Sequence, residues 1–263
     1  MDETKNTYDE FAAAVYDLWF AGDTHEEIEF FSSFLKEMPG PTLEIGCGTG
    51  RIMLALIERG FAVEGAEPSL PMLEVLKRKA SEKDIQPKLI TQRMEDLSIG
   101  RTFQSIIIPA CSFMLVPDRS KAMEVLCRIR EHLVPGGQLL LTSALRWGIS
   151  DFFTCSRRDT NDLPVWKLRR EAHKQDHVIL LSEATSSCIP EQICHSRYRY
   201  EVFKDGVSVS THFQQLLVRW YGRDELTDLL KQSGFSDVRV FRAYERKTPT
   251  PRDDEFVYHA INK

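Results

Sequence analysis

The chain has 263 residues, 42% of them hydrophobic and 28% charged, an ordinary balance for a globular protein that buries a full core. Its formal net charge of -5 at pH 7 argues against general binding to nucleic acid or an anionic membrane, both of which favour a basic face. The first residues lack a signal-peptide core, no apolar run reaches the ~20 residues of a membrane span, and the six cysteines form no Cys-x-x-Cys pair, so we expect a soluble, cytoplasmic protein.

Residues 1–36 are predicted to be helical, because apolar and aromatic side chains recur there at helical spacing. Thr24 is a predicted helix N-cap, and Glu27 would complete a capping box with it. The Met-Pro-Gly-Pro stretch at 38–41 ends this helical segment.

An alternation of strands and helices follows. Strands are predicted at 41–45, 61–67, 87–92, 103–110 and 138–144, and helices at 51–59, 70–83 and 120–132. Strands that alternate with helices are typical of a parallel sheet covered on both faces.

The pattern changes after residue 145. Residues 146–170 are expected to be irregular, and antiparallel strands are predicted at 177–187, 195–203 and 208–221, with a hairpin turn at Lys204-Asp205-Gly206. A helix at 223–233 and strands at 238–244 and 255–261 complete the chain. We therefore predict one domain, divided into a helical lid (1–36), a core (37–145), a β insert (146–221) and a closing segment (222–263).

A glycine-rich turn follows the first predicted strand and opens a predicted helix. It reads Gly46-Cys47-Gly48-Thr49-Gly50, and its glycines let the backbone bend sharply and approach a ligand. Dinucleotide-binding enzymes use Gly-x-Gly-x-x-Gly, but Arg51 occupies the third glycine position, which disfavours a nicotinamide oxidoreductase. With Glu44 before it, the turn instead resembles motif I of class I S-adenosylmethionine (SAM)-dependent methyltransferases.

An acidic residue, Glu67, ends the second predicted strand. A carboxylate about 20 residues past such a turn can accept hydrogen bonds from ribose hydroxyls. The segment 65–73, which includes Pro68 and Met72, also resembles the second motif of the same family.

The turn after the third strand departs from the family pattern. In the family this turn lies over the adenine, and an aspartate often accepts from the exocyclic amine. Arg93 stands at the position where that aspartate would align, and arginine has no acceptor. Either Glu95 or Asp96 replaces it, or the backbone makes the contact alone.

The resemblance covers residues 41–145 closely and also fits the last helix and two strands. It implies a doubly wound, mostly parallel, seven-stranded Rossmann-like sheet with the last strand antiparallel, a helical lid over the cofactor, and an antiparallel β insert on the substrate side. The segment 106–113, at the end of strand four, would lie beside the transferable methyl group. SAM is the implied cofactor.

Two sets of site residues follow from the motifs and their positions. The expected cofactor-binding residues are Tyr16, Glu44, Gly46, Cys47, Gly48, Gly50, Arg51, Glu67, Pro68, Met72, Arg93, Met94, Glu95 and Ala110. The expected substrate-binding residues are Tyr8, Trp19, Cys111, Ser112, Phe113, Trp147, Arg197 and Arg199.

Several of these residues have an alternative interpretation. The aromatic residues of the first helix either close the site or pack as an ordinary amphipathic face. Arg197 and Arg199 share one strand face, where they either clamp an anionic substrate group or face solvent. His173 and His177 have helical spacing but no accompanying carboxylate motif, so no metal site is predicted.

Methyl transfer from a sulfonium is an in-line displacement, and alignment of the reacting atoms can lower the barrier by ~7–11 kcal/mol. No catalytic side chain is predicted, since a base is needed only for an acceptor that arrives protonated. We predict a small-molecule methyltransferase without nucleic-acid or membrane partners. A methyltransferase acting on protein or RNA, and a SAM-binding protein without turnover, are the alternatives.

Overall fold

Two β-sheets organise the protein. In a computed structural model of the chain, the structure describes residues 6, 8–20, 24–145, 165–188 and 190–263. The helices are α1 (Glu10–Phe20), α2 (His25–Glu37), α3 (Arg51–Glu58), α4 (Leu70–Ser81), α5 (Arg119–Glu131) and α6 (Arg223–Gln232). The strands are β1 (Thr42–Ile45), β2 (Val63–Ala66), β3 (Lys88–Ile90), β4 (Phe103–Ile108), β5 (Leu133–Ala144), β6 (Lys167–Lys174), β7 (His177–Cys188), β8 (Ile193–Lys204), β9 (Val207–Arg219), β10 (Phe235–Arg242) and β11 (Glu255–Asn262). Among the helices in these ranges, none is long and apolar enough to cross a membrane.

The larger sheet has seven strands in the order β10-β11-β5-β4-β1-β2-β3. β1 pairs in parallel with β2 and β4, whereas β11 runs antiparallel to both β5 and β10. This arrangement confirms the predicted doubly wound sheet with its reversed last strand. The order also reverses direction at β1 and β4, where open α/β sheets form a ligand crevice.

Alternating side chains of the central strands fill two cores. Leu43 of β1 and Ile106 of β4 are fully buried on the side covered by α5 and α6. Ile107 and Leu140 are fully buried on the other side, against Phe31 of α2 and the side chains of α3. Each such side chain contributes ~1.5–3 kcal/mol by leaving water, so the pattern fixes which face of the sheet each helix covers.

The second sheet is antiparallel, with the order β6-β7-β8-β9. Its predicted hairpin is confirmed: Lys204 pairs with Val207, and Asp205 and Gly206 between them have φ angles of 50° and 77°.

The prediction that 146–170 is irregular is wrong for 167–170, which belong to β6. This strand is a mostly exposed edge that pairs with β7 through its backbone and through the ion pair of Arg169 Nε with Glu183 Oε2 at 2.8 Å, and its charged sequence shows no apolar alternation. The predicted division of the chain into four segments stays a prediction.

Two details of the N-terminal segment correct the sequence-based expectation. Residues 6, 8 and 9 are not helical, because the Asp9 carboxylate accepts from Ala12 N at 2.7 Å and α1 begins at Glu10. Thr24 precedes α2 but makes no side-chain capping bond. Glu27 instead accepts hydrogen bonds from Arg51 and from Tyr244.

Candidate active site

A cavity of about 630 Å³ lies at the carboxyl ends of β1, β2, β3 and β4. Asn6, Tyr8 and Tyr16, which belong to the N-terminal segment before α2, also line it. This volume is within the ~300–1,000 Å³ typical of small-molecule sites. Many of the predicted site residues line it together: Tyr8, Tyr16, Gly46, Gly48, Glu67, Pro68, Met72, Arg93, Met94, Glu95, Ala110 and Ser112.

The glycine turn after β1 brings bare backbone to this cavity. Gly46 has a φ of 74°, and a Cβ on it would lie 2.8 Å from Ser112 Oγ. Gly48 has a φ of 50°, and a Cβ on it would have no protein atom within 4 Å. Since Gly48 lines the cavity, the missing side chain leaves room there for a ligand.

Glu67 closes β2 at the same end of the cavity. Its Oε2 accepts from Gly48 N at 3.1 Å, and its Oε1 accepts from Ser69 N at 2.9 Å. Burial raises the pKa of this carboxyl, whereas the two backbone N–H groups and Arg93 oppose the rise. Each carboxylate oxygen can accept a further hydrogen bond, so the geometry fits a ribose diol.

The turn after β3 forms the next wall. A short 3-10 helix spans Met94–Asp96, and Arg93 Nη2 donates to Glu95 Oε1 at 3.3 Å. Glu95 and Asp96 both line the cavity beside Arg93. This wall therefore offers carboxylate acceptors for an exocyclic amine although the aligned position is an arginine.

The N-terminal residues Asn6, Tyr8 and Tyr16 and the chain after β4 complete the cavity wall. The Tyr8 and Tyr16 rings meet edge to face with centroids 5.7 Å apart, and Ser112 Oγ donates to Pro109 O at 2.9 Å. Leu115 and Val116 add apolar surface. Burial raises the pKa of Tyr16 to about 12 and also raises that of Tyr8, so both phenols stay protonated near neutral pH.

Four predicted cofactor-binding residues lie behind the cavity rather than on its wall. Glu44 is buried with no hydrogen-bond partner for Oε2, and Arg51 pairs with Glu27 at 2.5 Å. Cys47 packs so closely under β2 that a Cβ on Gly65 would lie 2.6 Å from its Sγ. Gly50 is the N-cap residue before α3 and has a φ of 77°.

Three other predicted substrate-binding residues are buried and are not among the residues that line the cavity. Trp19 is buried against Tyr200 of the insert, with ring centroids 6.2 Å apart. Phe113 is fully buried and packs against Tyr221. Cys111 follows β4 in a left-handed conformation, and its N–H donates to Thr142 Oγ1 at 2.7 Å.

The structure does not bring Arg197 and Arg199 to the cavity. The face of β8 opposite to them carries Tyr200, which packs under α1. Arg197 is exposed, and Arg199 lies over the Trp166 ring at 4.9 Å and pairs with Glu201 at 3.1 Å. Trp147 lies outside the described residues, and the roles of all these residues remain predictions.

Asp96, an alternative adenine contact in the sequence analysis, also lines the cavity. Further lining residues were not among the predicted site residues: Asn6, Ile45, Ser69, Leu70, Pro71, Thr91, Gln92, Leu115 and Val116. Most of them adjoin a recognised motif, so widening each motif by a few residues finds them. Asn6 has no such signal, because the residues that it contacts are distant in sequence.

Comparisons with known proteins agree with this geometry. A family model described as a methyltransferase domain matches residues 42–137. The cypemycin N-terminal methyltransferase of Streptomyces sp. is 30% identical over 138 residues, 52% of this chain and 56% of that protein. The dTDP-3-amino-3,6-dideoxy-alpha-D-glucopyranose N,N-dimethyltransferase of Streptomyces fradiae is 25% identical over 150 residues, 54% of this chain and 55% of that protein. The chain thus spans a little over half the length of these two relatives.

Solved structures resemble almost the whole chain in fold. An S-adenosylmethionine-dependent methyltransferase from Clostridium acetobutylicum has a TM-score of 0.77 at 16% identity, over 96% of this chain and 97% of that one. SAM-bound CalS10, an amino pentose methyltransferase from Micromonospora echinaspora, has a TM-score of 0.68 at 17% identity, over 98% and 99% of the two chains.

Proposed function

Residues 42–137 form a methyltransferase domain of the class I, SAM-dependent type, and from this premise we propose that the chain transfers the methyl group of SAM to an amine nitrogen of a small molecule. The observation that carries the proposal is the cavity itself. Its wall combines bare glycine backbone and the Glu67 carboxylate with the side chains of Tyr8, Tyr16 and Ser112.

The cofactor end supports SAM as the methyl donor. Glu67 would accept the ribose hydroxyls, Gly48 would leave space for the bound nucleoside, and Glu95 or Asp96 would accept from the adenine amine. When bound, SAM supplies a methyl group that is already activated on a sulfonium. The protein therefore has to hold the acceptor in line and exclude water.

The other lining residues support transfer to a neutral nucleophile. Tyr8 and Tyr16 stay protonated near neutral pH, and the carboxylates of the described lining, Glu67, Glu95 and Asp96, are the groups proposed to hold the ribose and the adenine. An amine would therefore enter as its free base. Its lone pair forms the N–C bond as the C–S bond breaks, the nitrogen takes the positive charge, and the product loses its extra proton to solvent.

The choice of an amine is supported by the names of two relatives. One is an N-terminal methyltransferase and the other an amino-sugar N,N-dimethyltransferase, so both act on amine nitrogens. The cavity volume of about 630 Å³ supports a small acceptor. The free N-terminal amine of a peptide is the alternative that the first relative suggests.

Methyl-labelled SAM tests the proposal directly. The purified chain is incubated with the label and a panel of acceptors: a nucleotide-linked amino sugar, the same sugar with a hydroxyl in place of the amine, a peptide with a free N-terminus, and its N-acetylated form. We expect label on the amino sugar and none on the hydroxyl sugar. Label on the peptide alone would favour the peptide alternative, and no transfer to any amine despite SAM binding would contradict the proposed activity.

We also propose a cytoplasmic location. It is supported by the free thiols of Cys47, Cys111, Cys127 and Cys194, since reduced cysteines are typical of that compartment. Fractionation of the producing cell, with the protein detected by antibody, tests it.

A further inference from the structure

The side-chain amide of Asn6 joins three parts of the molecule at the cavity wall. Its Nδ2 donates to Leu115 O at 2.8 Å and to Leu217 O at 2.8 Å, and its Oδ1 accepts from Leu217 N at 2.7 Å. Leu115 belongs to the turn after β4, and Leu217 belongs to β9 of the second sheet. One partly buried side chain thus links the N-terminal segment to both the core and the insert.

The bonds to Leu217 imitate strand pairing. β9 is the last strand in the order of its sheet, and β8 lies on its other side. At Leu217 both backbone groups face away from β8 and are used by Asn6, so the amide takes the place of a neighbouring strand residue. These bonds require a side chain that carries an N–H donor and an oxygen acceptor side by side in one plane, and the second N–H of the amide is left for Leu115 O.

A second attachment holds the same segment at the cofactor end. Ser69 Oγ donates to the carbonyl oxygen of Tyr8 at 2.9 Å, and Ser69 N donates to Glu67 Oε1. Asn6 is therefore fastened to β9, and Tyr8 is fastened to Ser69 just before α4. The Tyr8 ring between these attachments lines the cavity.

We propose that Asn6 is a positioning residue that fastens the N-terminal segment across the cavity, holds Tyr8 in its wall and slows the escape of bound SAM. The inference rests on the proposed function, because it takes SAM as the ligand. SAM bound against Glu67 and Gly48 would lie behind this segment. Its release would then require the Asn6 bonds, the Ser69 bond or both to open first.

The dissociation rate of SAM tests this role. It is measured by stopped-flow displacement of SAM with excess S-adenosylhomocysteine, in the wild type, in Asn6→Ala and in Asn6→Asp. Since three hydrogen bonds are lost, we expect Asn6→Ala to release SAM at least ~10-fold faster than the wild type. Asn6→Asp keeps the acceptor but turns a carboxylate oxygen toward two carbonyls, so it should be at least as fast.

Asn262 provides a matched control. Its Nδ2 also donates to backbone carbonyls, those of Arg130, Leu133 and Val134, but it lies at the far end of β11, away from the cavity. Asn262→Ala should lower the unfolding temperature as Asn6→Ala does and leave SAM dissociation within about twofold of the wild-type rate. Equal acceleration in both variants would show a general loss of stability and would overturn the role of Asn6.

A measurement on the wild type keeps the inference testable if the Asn6 variants do not fold. Saturating SAM should slow amide hydrogen exchange of Leu217, whose N–H is held by Asn6 rather than by β8. An exchange rate that SAM does not alter, or SAM release from Asn6→Ala at the wild-type rate, would overturn the inference while the proposed function stands. A wild-type chain that binds no SAM would overturn both.

Discussion

The backbone N–H of Gly48 donates to Glu67 Oε2 over 3.1 Å. The two residues are 19 positions apart, one in the turn after β1 and the other at the end of β2. The parallel pairing of β1 with β2, in which Ile45 lies beside Ala66, brings these positions together. The glycine turn and the acid therefore form one unit at the cavity wall.

Replacement of Glu67 by alanine should weaken SAM binding by ~10–100-fold, because the ribose would lose a charged acceptor and two backbone N–H groups would lose their partner. Isothermal titration calorimetry measures the change. Glu58→Ala is the control, since Glu58 is an exposed carboxylate paired with Lys83 on the surface. An affinity in Glu67→Ala within about twofold of the Glu58→Ala value would contradict the assigned role.

Replacement of Gly48 by alanine should block SAM without a steric clash in the unliganded protein. The added Cβ would meet no protein atom within 4 Å, so the expected stability cost is the ~1 kcal/mol of a left-handed backbone conformation. Gly60 offers a matched control, because it also has a positive φ and empty space at its Cβ position but lies in an exposed turn.

Chemical denaturation and calorimetry on both glycine variants separate the two effects. We expect similar losses of stability in Gly48→Ala and Gly60→Ala, and a loss of SAM affinity above ~10-fold in Gly48→Ala alone. Unchanged affinity in Gly48→Ala would mean that the ligand does not occupy the space beside this residue.

Glu44→Gln should stabilise the protein at neutral and higher pH. Burial raises the pKa of Glu44, and its Oε2 lacks a hydrogen-bond partner. A carboxyl whose folded pKa is raised contributes its full stability below the unfolded pKa of ~4.3, and this contribution is lost as pH rises through the folded pKa. The neutral amide avoids that loss, so we expect a gain of ~1–3 kcal/mol at about pH 8 that vanishes below about pH 4.

Urea unfolding of the wild type and of Glu44→Gln across this pH range measures the gain, with Glu58→Gln as the exposed control. A variant less stable than the wild type at about pH 8 would show that the ionised carboxylate is needed in the fold. The affinity of the same variant for SAM tests the predicted cofactor role of Glu44.

The pH dependence of methyl transfer should follow the acceptor rather than the protein. If the amine enters as its free base, kcat/KM rises ~10-fold per pH unit below the pKa of the amine and levels off above it. Tyr16, whose pKa burial raises to about 12, cannot supply a competing ionisation in the range from pH 6 to 10. Tyr16→Phe should therefore change the size of kcat/KM and leave the midpoint of its pH profile in place.

Two acceptor amines of different pKa make this test sharp. The midpoint of the kcat/KM profile should move with the amine that is used. A midpoint that stays fixed for both amines, or that Tyr16→Phe shifts, would identify a base on the protein instead.

The sequence predicted the sheet, its reversed last strand and the methyltransferase resemblance, and these are confirmed. SAM as the cofactor is part of the proposed function. It failed where nonlocal contacts compete with local signals. Glu27 was expected to cap α2 beside Thr24, but it pairs with Arg51 and Tyr244. β6 has no apolar alternation to reveal it, because its side chains are mostly exposed at the edge of the sheet.

Motif spacing and periodicity are local properties, so the sequence by itself determined the order of the strands along the chain, the glycine turn and the acid that follows β2. Only the tertiary structure decided which side chains reach the cavity. It placed Arg51 against Glu27 behind the wall, and it brought Asn6 to Leu115 and Leu217, 109 and 211 positions away. Such contacts depend on how the N-terminal segment and the second sheet pack onto the core, and no short stretch of sequence encodes that packing.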